Sequence, residues 1–374
     1  MPALIAASGI RTCLGDGAAT FSALLRGENG VGPLRHGDPA ALNVAAGYHV
    51  ADPDPSRPFL ASDLLAECVA EAAGQAGLAG SGLRVAVLVG TGLRELGAVE
   101  RQVLDGAGTF DVERLHFAEA VRRVLPEAAE VITISNACSA SGHALALAQD
   151  LVELDEFDAV LACGADTMTR SMLAMIGRVA PVPTEQVHPF DADRTGVLLG
   201  DGAAAVVVVP ESWTRPVLGR LAATGLSCDA HHETAPDVGG IGRSMRDAFS
   251  RAGREPAAVD LVVAHGTGTA LNDSAESEAL RTVLLDAGAD PLVTAVKGAT
   301  GHTSGSASLV NLDVALRCLA GGTVPPIVGL RTVLAGGDGL RFVVGEPVEL
   351  RPRLVQVNAF GFGGVNAVTL LEAA

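Results

Sequence analysis

The feature that most limits the fold is a duplication inside the chain. Residues 70–93 read AEAAGQAGLAGSGLRVAVLVGTGL and residues 246–269 read RDAFSRAGREPAAVDLVVAHGTGT. Each copy has a helical stretch ending in Ala-Gly (76–77 and 252–253), a short linker, an apolar strand and then Gly-Thr-Gly (90–92 and 266–268). Fifteen residues separate the Ala-Gly glycine from the last glycine in both copies. The halves also close alike, with GDGAAAVVVVPE at 200–211 and FGGVNAVTLLE at 362–372. Strands without a polar face are buried on both sides, so the pattern predicts mixed or parallel sheets covered by helices. A chain of 374 residues exceeds one compact core, and its 48% of apolar residues suffices for two. The halves expected are 1–212 and 213–374, joined near Trp213 to Val217 in one layered α/β body. One position breaks the symmetry: where the first copy has Val89, the second has His265. An ionisable group in place of a core valine assigns chemistry to the second copy.

Charge and composition exclude several partners. A formal net charge of −17 opposes nucleic acid and anionic membranes, and it requires any acidic partner to dock on a local arginine patch. The longest apolar run, AAAVVVV at 203–209, is far short of a membrane span. The opening MPALIAASGIRT has no basic leader and reads as a first strand, which makes a cytoplasmic protein the expectation. Six cysteines (13, 68, 138, 163, 228 and 318) lack metal-type spacing and are expected as free thiols.

Four residues stand out as chemical candidates. In VITISNACSASGHALALAQDL an apolar strand from Val131 meets a small-residue turn and then a helix, which places Cys138 at a helix N-terminus, where unpaired amides favour the thiolate. The other cysteines lack that setting, and Cys13, Cys68, Cys163 and Cys318, in apolar surroundings, read as small core hydrophobes. His265, in AHGTGTALND, and His302, in VKGATGHTSG, are ringed by small residues that let a substrate approach the backbone. Neither has a zinc-type set of ligands around it. Lys297 is the only lysine among 26 basic residues. Arginine serves every other cationic position, so a compact ammonium is expected where a planar guanidinium does not fit. The glycine-rich NAFGFGGVNAV precedes a strand instead of opening a helix, so it is not a nucleotide fingerprint.

In chain order, these segments resemble the β-ketoacyl synthases, condensing enzymes of type II fatty-acid and polyketide assembly in the thiolase-like superfamily. The resemblance runs through GIRTCLGDGAATFSALLRGENGVGPL (9–34), ISNACSASG (134–142), HPFDADRTGVLLGDGAAAVVV (188–208), both histidine segments and NAFGFGGVN (358–366). It implies a duplicated five-layer αβαβα fold and a dimer, with a homodimer or a related subunit as partner, whose central strand lies near Val131–Ala137. It makes Cys138 the acyl-accepting nucleophile, and His265 and His302 the pair that assists decarboxylation. Lys297 becomes a buried lysine paired with Glu276, and Thr267 and Thr269 contact the phosphopantetheine arm. Phe360 gates the acyl pocket, its backbone amide and that of Cys138 forming the oxyanion hole. No cofactor is implied, the substrates riding on the phosphopantetheine of an acyl carrier protein.

The chain departs from the family pattern between Gly90 and Cys138 and between Asp166 and His188, where it is shorter, and at SGSAS after His302. These segments bear on acyl length and partner. Twelve aromatic residues in all imply an aliphatic pocket wall. Three readings follow: a decarboxylating condensing enzyme; an enzyme that passes the acyl group from Cys138 to an amine or alcohol; and a non-catalytic chain-length subunit, against which the cysteine argues. Arg122 and Arg123 are the expected carrier-docking pair.

Overall fold

Two sets of five strands are wound in the same order. The computed structural model describes residues 3–35, 37–51, 57–179 and 182–374. The first set is β1 (Ala3–Arg11), β2 (Val85–Thr91), β3 (Glu130–Ser135), β4 (Ala159–Asp166) and β5 (Gly202–Pro210). The second is β6 (Gly219–Cys228), β7 (Leu261–Val263), β8 (Leu292–Thr294), then, past the short edge strand β9 (Arg341–Phe342), β10 (Leu354–Gly361) and β11 (Val365–Glu372). In space the first set runs β3-β2-β4-β5-β1 and the second β8-β7-β10-β11-β6. Directions match as well. β2 is parallel to β3 and β4, and β7 to β8 and β10, while β5 and β11 are antiparallel to both their neighbours. The ladders meet through β1 and β6, where Ala3, Leu4 and Ile5 pair with Leu221, Arg220 and Gly219. Met1 and Pro2 of the expected first strand lie outside the described residues.

Helices complete five layers. α1 (Leu60–Ala76) covers the first set, and α3 (Val238–Ala252) covers β6 and β11. Between the sheets lie α2 (Ala140–Glu153) and α5 (Ala307–Gly321), each packed on strands of both halves. Alternation along the strands explains the absence of a polar face. Val85, Val87 and Val89 enter the core under α1, whereas Ala86 and Leu88 enter the core between the sheets. In the second half Leu261 and Val263 face the shared core, and Val262 and Ala264 face the outer one. The repeated Ala-Gly has a local cause: Gly77 and Gly253 cap α1 and α3 in the left-handed conformation, at φ 64° and 60°.

β3 differs from its neighbours. Among the described residues it pairs only with β2, leaving its outer edge open, and Ile132 is 43% exposed. Among the described residues, no helix is long and apolar enough to cross a membrane.

Candidate active site

Cys138 sits in the 3-10 turn Ala137–Ser139 that links β3 to α2. Ala137 is held at φ 60°, a left-handed conformation that L-residues avoid unless their surroundings impose it. The side chain of Cys138 reaches the wall of a cavity of about 480 Å³ that it shares with His265, His302, Thr267, Thr269 and Phe360. Met172, Met175, Ile176 and Val182 line another part of the same cavity, so an aliphatic wall is present. A second pocket of about 360 Å³ holds none of these groups, and its arginines are paired as Arg220–Glu211, Arg251–Asp150 and Arg254–Glu372.

The helix N-terminus does not by itself make a thiolate. Burial pushes the Cys138 thiol up to about 11, against the pull of the Lys297 charge and of the Phe362 and Cys138 backbone N–H groups. Desolvation of the charged form outweighs the terminal amides because Cys138 itself is buried. Cys138 therefore rests as a thiol.

The identity of the second amide at the sulfur corrects an expectation. β10 continues to Gly361, and Phe360 is used up in the ladder opposite Asn366. Its ring, 5% exposed, packs on His265 with centroids 5.5 Å apart. The N–H that reaches Cys138 comes from Phe362, in the hairpin turn Phe362–Gly364, whose side chain is 37% exposed on the cavity wall. The amide pair at the sulfur is Cys138 with Phe362, and of the two aromatics Phe362 is the exposed one.

The two histidines meet edge to face, ring centroids 5.4 Å apart at 85°. Each has its Nδ1 occupied. The Ser304 N–H donates to Nδ1 of His302 at 3.3 Å, and the Lys297 ammonium stands 3.3 Å from Nδ1 of His265 while donating to that residue's carbonyl. Those partners assign the ring proton to Nε2 in both imidazoles. Burial, reinforced by the Lys297 charge, holds both far below the usual imidazole range. They are neutral donors at neutral pH.

Lys297 is 1% exposed, and burial lowers its ammonium to about 8 against the opposing charges of Glu276 and Cys138. The expected Lys297–Glu276 ion pair is not formed: among the described residues no contact within 4 Å joins them. The Glu276 oxygens are already taken by the N–H groups of His265 and Gly266, both at 2.8 Å, and by the Asn358 amide at 2.9 Å. Glu276 and Lys297 grip the backbone of His265 from its N–H and its carbonyl. Glu276 thus organises the turn, and Lys297 faces the imidazole. Thr267 and Thr269 bond each other at 2.9 Å, and Thr269 caps α4 (Ala270–Leu280). Arg123 is bound to Asp63 at 2.9 Å, which takes one member of the expected docking pair.

One site residue was missed by sequence reasoning. Asp166, fully buried at the end of β4, accepts from Thr91 Oγ1 (2.7 Å) and from the N–H groups of Gly92 (2.7 Å), Leu93 (2.9 Å) and Gly305 (2.6 Å). Burial raises its carboxyl to about 6 against those four donors. It ties the first Gly-Thr-Gly turn to the loop after His302. The signal was present: AVLACGAD ends a wholly apolar strand in a carboxylate, which must be satisfied inside.

Residues 60–212 match the family described as Beta-ketoacyl synthase, N-terminal domain, and residues 218–331 match Beta-ketoacyl synthase, C-terminal domain. The chain belongs to the β-ketoacyl synthase family. It is an acyltransferase of the condensing-enzyme class. It is 32% identical to Nodulation protein E of Rhizobium meliloti (strain 1021), covering 94% of both chains. It is 28% identical to 3-oxoacyl-[acyl-carrier-protein] synthase 2 of Coxiella burnetii (strain RSA 493 / Nine Mile phase I), over 94% of this chain and 93% of that one. Among solved structures, the ishigamide ketosynthase/chain length factor superposes with a TM-score of 0.88 at 28% identity, over 100% of this chain and 99% of that one. The duplicated five-layer fold is the thiolase-like one of these ketosynthases.

Proposed function

We propose that the chain catalyses decarboxylative condensation of an acyl group on Cys138 with a malonyl-type thioester carried by an acyl carrier protein. The observation that carries the reading is the pair of neutral imidazoles with Nδ1 occupied, whose remaining Nε2–H groups share a cavity with a helix-start cysteine. In the first half-reaction the Cys138 sulfur attacks a carrier thioester, its proton leaves with the carrier thiol, and the carbonyl oxygen is held by the Cys138 and Phe362 amides. In the second, the malonyl thioester carbonyl accepts from His265 and His302. Its carboxylate departs as carbon dioxide, leaving an enolate that those donors stabilise. The enolate carbon then attacks the acyl-Cys138 carbonyl, the C–S bond breaks, and the thiolate takes up one proton. The product is a carrier-bound β-ketothioester. These steps balance without a metal or redox cofactor.

Thr267 and Thr269 are assigned to the pantetheine arm, and Phe362 to the gate. The open edge of β3, with Ile132 exposed, is the surface for a second copy or a related subunit. Arg122 is assigned to carrier docking, its neighbour Arg123 being held by Asp63. The protein works in the cytoplasm, where carrier thioesters are made. Intact-mass analysis with a panel of acyl thioesters, with and without a malonyl donor, tests the reaction. Expected is an acyl adduct on Cys138 that disappears when malonyl thioester is added, with release of a β-ketothioester. An adduct discharged to amines or alcohols but never to malonyl thioester would replace condensation by simple acyl transfer.

A further inference from the structure

Tyr48 is the one tyrosine of the chain, and it is fully buried. It does not line the cavity, yet it touches both ends of the short segment that carries Lys297 and His302. Its hydroxyl donates to the Gly298 carbonyl at 3.1 Å and accepts the Val187 N–H at 3.2 Å. Its ring lies under Gly301, the residue before His302, where an added Cβ would come 2.5 Å from the ring Cδ2. Gly301 is at φ 66°, so neither space nor backbone conformation admits another residue there. The backbones are laced together too. The Tyr48 N–H donates to the Leu199 carbonyl (3.0 Å) and the Asp201 N–H to the Tyr48 carbonyl (2.9 Å). From the same short stretch, the Leu198 carbonyl accepts the His302 N–H (2.9 Å) and the Gly200 N–H donates to the His302 carbonyl (3.0 Å).

The supported segment has little shape of its own. Helix Lys297–Thr300 is a single turn, and an isolated turn is unstable without tertiary support. What packs against it decides where the ammonium and the imidazole point. Burial raises the Tyr48 phenol, so its hydroxyl remains a donor at any working pH.

We propose that Tyr48 is a positioning residue, whose hydroxyl and ring fix the turn that presents the Lys297 ammonium and the His302 imidazole to the cavity. The assignment rests on the reading of His302 as a donor in the enolate step. Removing the hydroxyl leaves the Gly298 carbonyl and the Val187 N–H buried and unpaired, and the turn relaxes to find new partners. A preorganised donor displaced by a fraction of an ångström loses transition-state stabilisation while substrate loading on Cys138, from the other half, continues.

The test uses the full-length enzyme and two readouts: malonyl-thioester decarboxylation relative to acyl loading of Cys138, and the imidazole resonances of enzyme labelled with 15N-histidine. In Tyr48→Phe, which keeps the ring and removes the hydroxyl, the decarboxylation-to-loading ratio is expected to fall roughly tenfold. The His302 resonances, assigned with His302→Ala, shift, while those of the exposed His231 and His232 hold. Because the chain has a single tyrosine, growth on 3-fluorotyrosine changes this residue alone. It alters the donor without removing it, and supplies the same readouts if Tyr48→Phe does not fold. A lower melting temperature with an unchanged ratio and unmoved His302 resonances would make Tyr48 an ordinary core residue and overturn the inference. If the wild-type enzyme decarboxylates no malonyl thioester, the proposed reaction fails and the His302 spectrum decides alone: a shift upholds the positioning role, and no shift refutes it.

Discussion

The two halves build the same elbow and place different residues in it. In the first, β3 passes through the turn Ala137–Ser139 into α2; in the second, the turn Ser304–Ser306 leads into α5. A non-glycine residue in the left-handed conformation opens each turn, Ala137 at φ 60° and Ser304 at φ 50°. The next residue is Cys138 in one half and Gly305 in the other. Cys138 borders a cavity. Gly305 has no room for a side chain: a Cβ there would stand 2.5 Å from Thr91 Cα and 2.7 Å from the Asp166 carboxylate. The Gly-Thr-Gly turns differ in the same manner. In the first half the turn amides are pinned by Asp166, from a strand; in the second, the His265 and Gly266 amides are held by Glu276 and the Thr267 and Gly268 amides by Asp273, both from α4. One backbone device serves both halves, with a buried carboxylate holding strand-end N–H groups. The halves differ in the residues set beside it, histidine in place of Val89 in one copy and cysteine in place of glycine in the other. In the proposed reaction the nucleophile comes from one half and the hydrogen-bond donors from its relative.

The sharpest way to break this comparison is at the elbow that is open. Cys138→Ala is expected to abolish the acyl adduct and condensation altogether, leaving only background turnover. An adduct that persists in the variant would move the nucleophile elsewhere. Next in size is the donor half. His302→Ala should still load acyl groups on Cys138 but lose malonyl decarboxylation by roughly two to three orders of magnitude, the usual cost of deleting a preorganised donor. Equal loss of both half-reactions would show that the two halves do not divide the chemistry. The closed elbow gives a stability effect instead. Gly305→Ala forces a methyl against the Thr91 backbone and the Asp166 carboxylate and should cost about 1–3 kcal/mol, read as a lower melting temperature. An unchanged melting temperature would mean that the second elbow has slack.

The duplicated layout was legible because its causes are local. Apolar strands without a polar face, and glycines that cap helices in the left-handed conformation, leave the same marks in both copies. That Cys138, His265 and His302 share one cavity was legible for a related reason, each being an odd residue in a small-residue turn. What failed was register and partner. FGFGG contains two phenylalanines two residues apart, and only the length of β10 decides which one belongs to the ladder. The sequence pattern runs smoothly through both, so Phe360 was taken for Phe362. The Lys297–Glu276 pair failed because opposite charges suggest each other, while backbone N–H groups, invisible in a sequence, satisfied the carboxylate first. Tyr48 carries no motif at all, and its place under Gly301 depends on contacts between residues some 250 positions apart in the chain.

The smallest effect tests how far the second half reaches into the first. Burial raises the Cys138 thiol to about 11, and the Lys297 charge is the largest influence opposing it. Below that value the thiolate fraction grows about tenfold with each pH unit, so iodoacetamide labelling of Cys138 should climb from pH 7 to pH 10 without the levelling near 8.5 that an unperturbed thiol shows. Lys297→Met removes the cation. Its thiol pKa must then rise, since a nearby positive charge favours the thiolate, and labelling at pH 7 should fall by a few-fold. Lys297 itself is lowered to about 8, so in the wild type the cation fades as the pH passes that value. The two labelling curves should therefore stand apart at pH 7 and converge above pH 9. Curves that coincide already at pH 7 would show that the lysine serves its own half only. Curves that remain parallel to pH 10 would show that the ammonium keeps its proton, held by the His265 carbonyl against the cost of burial.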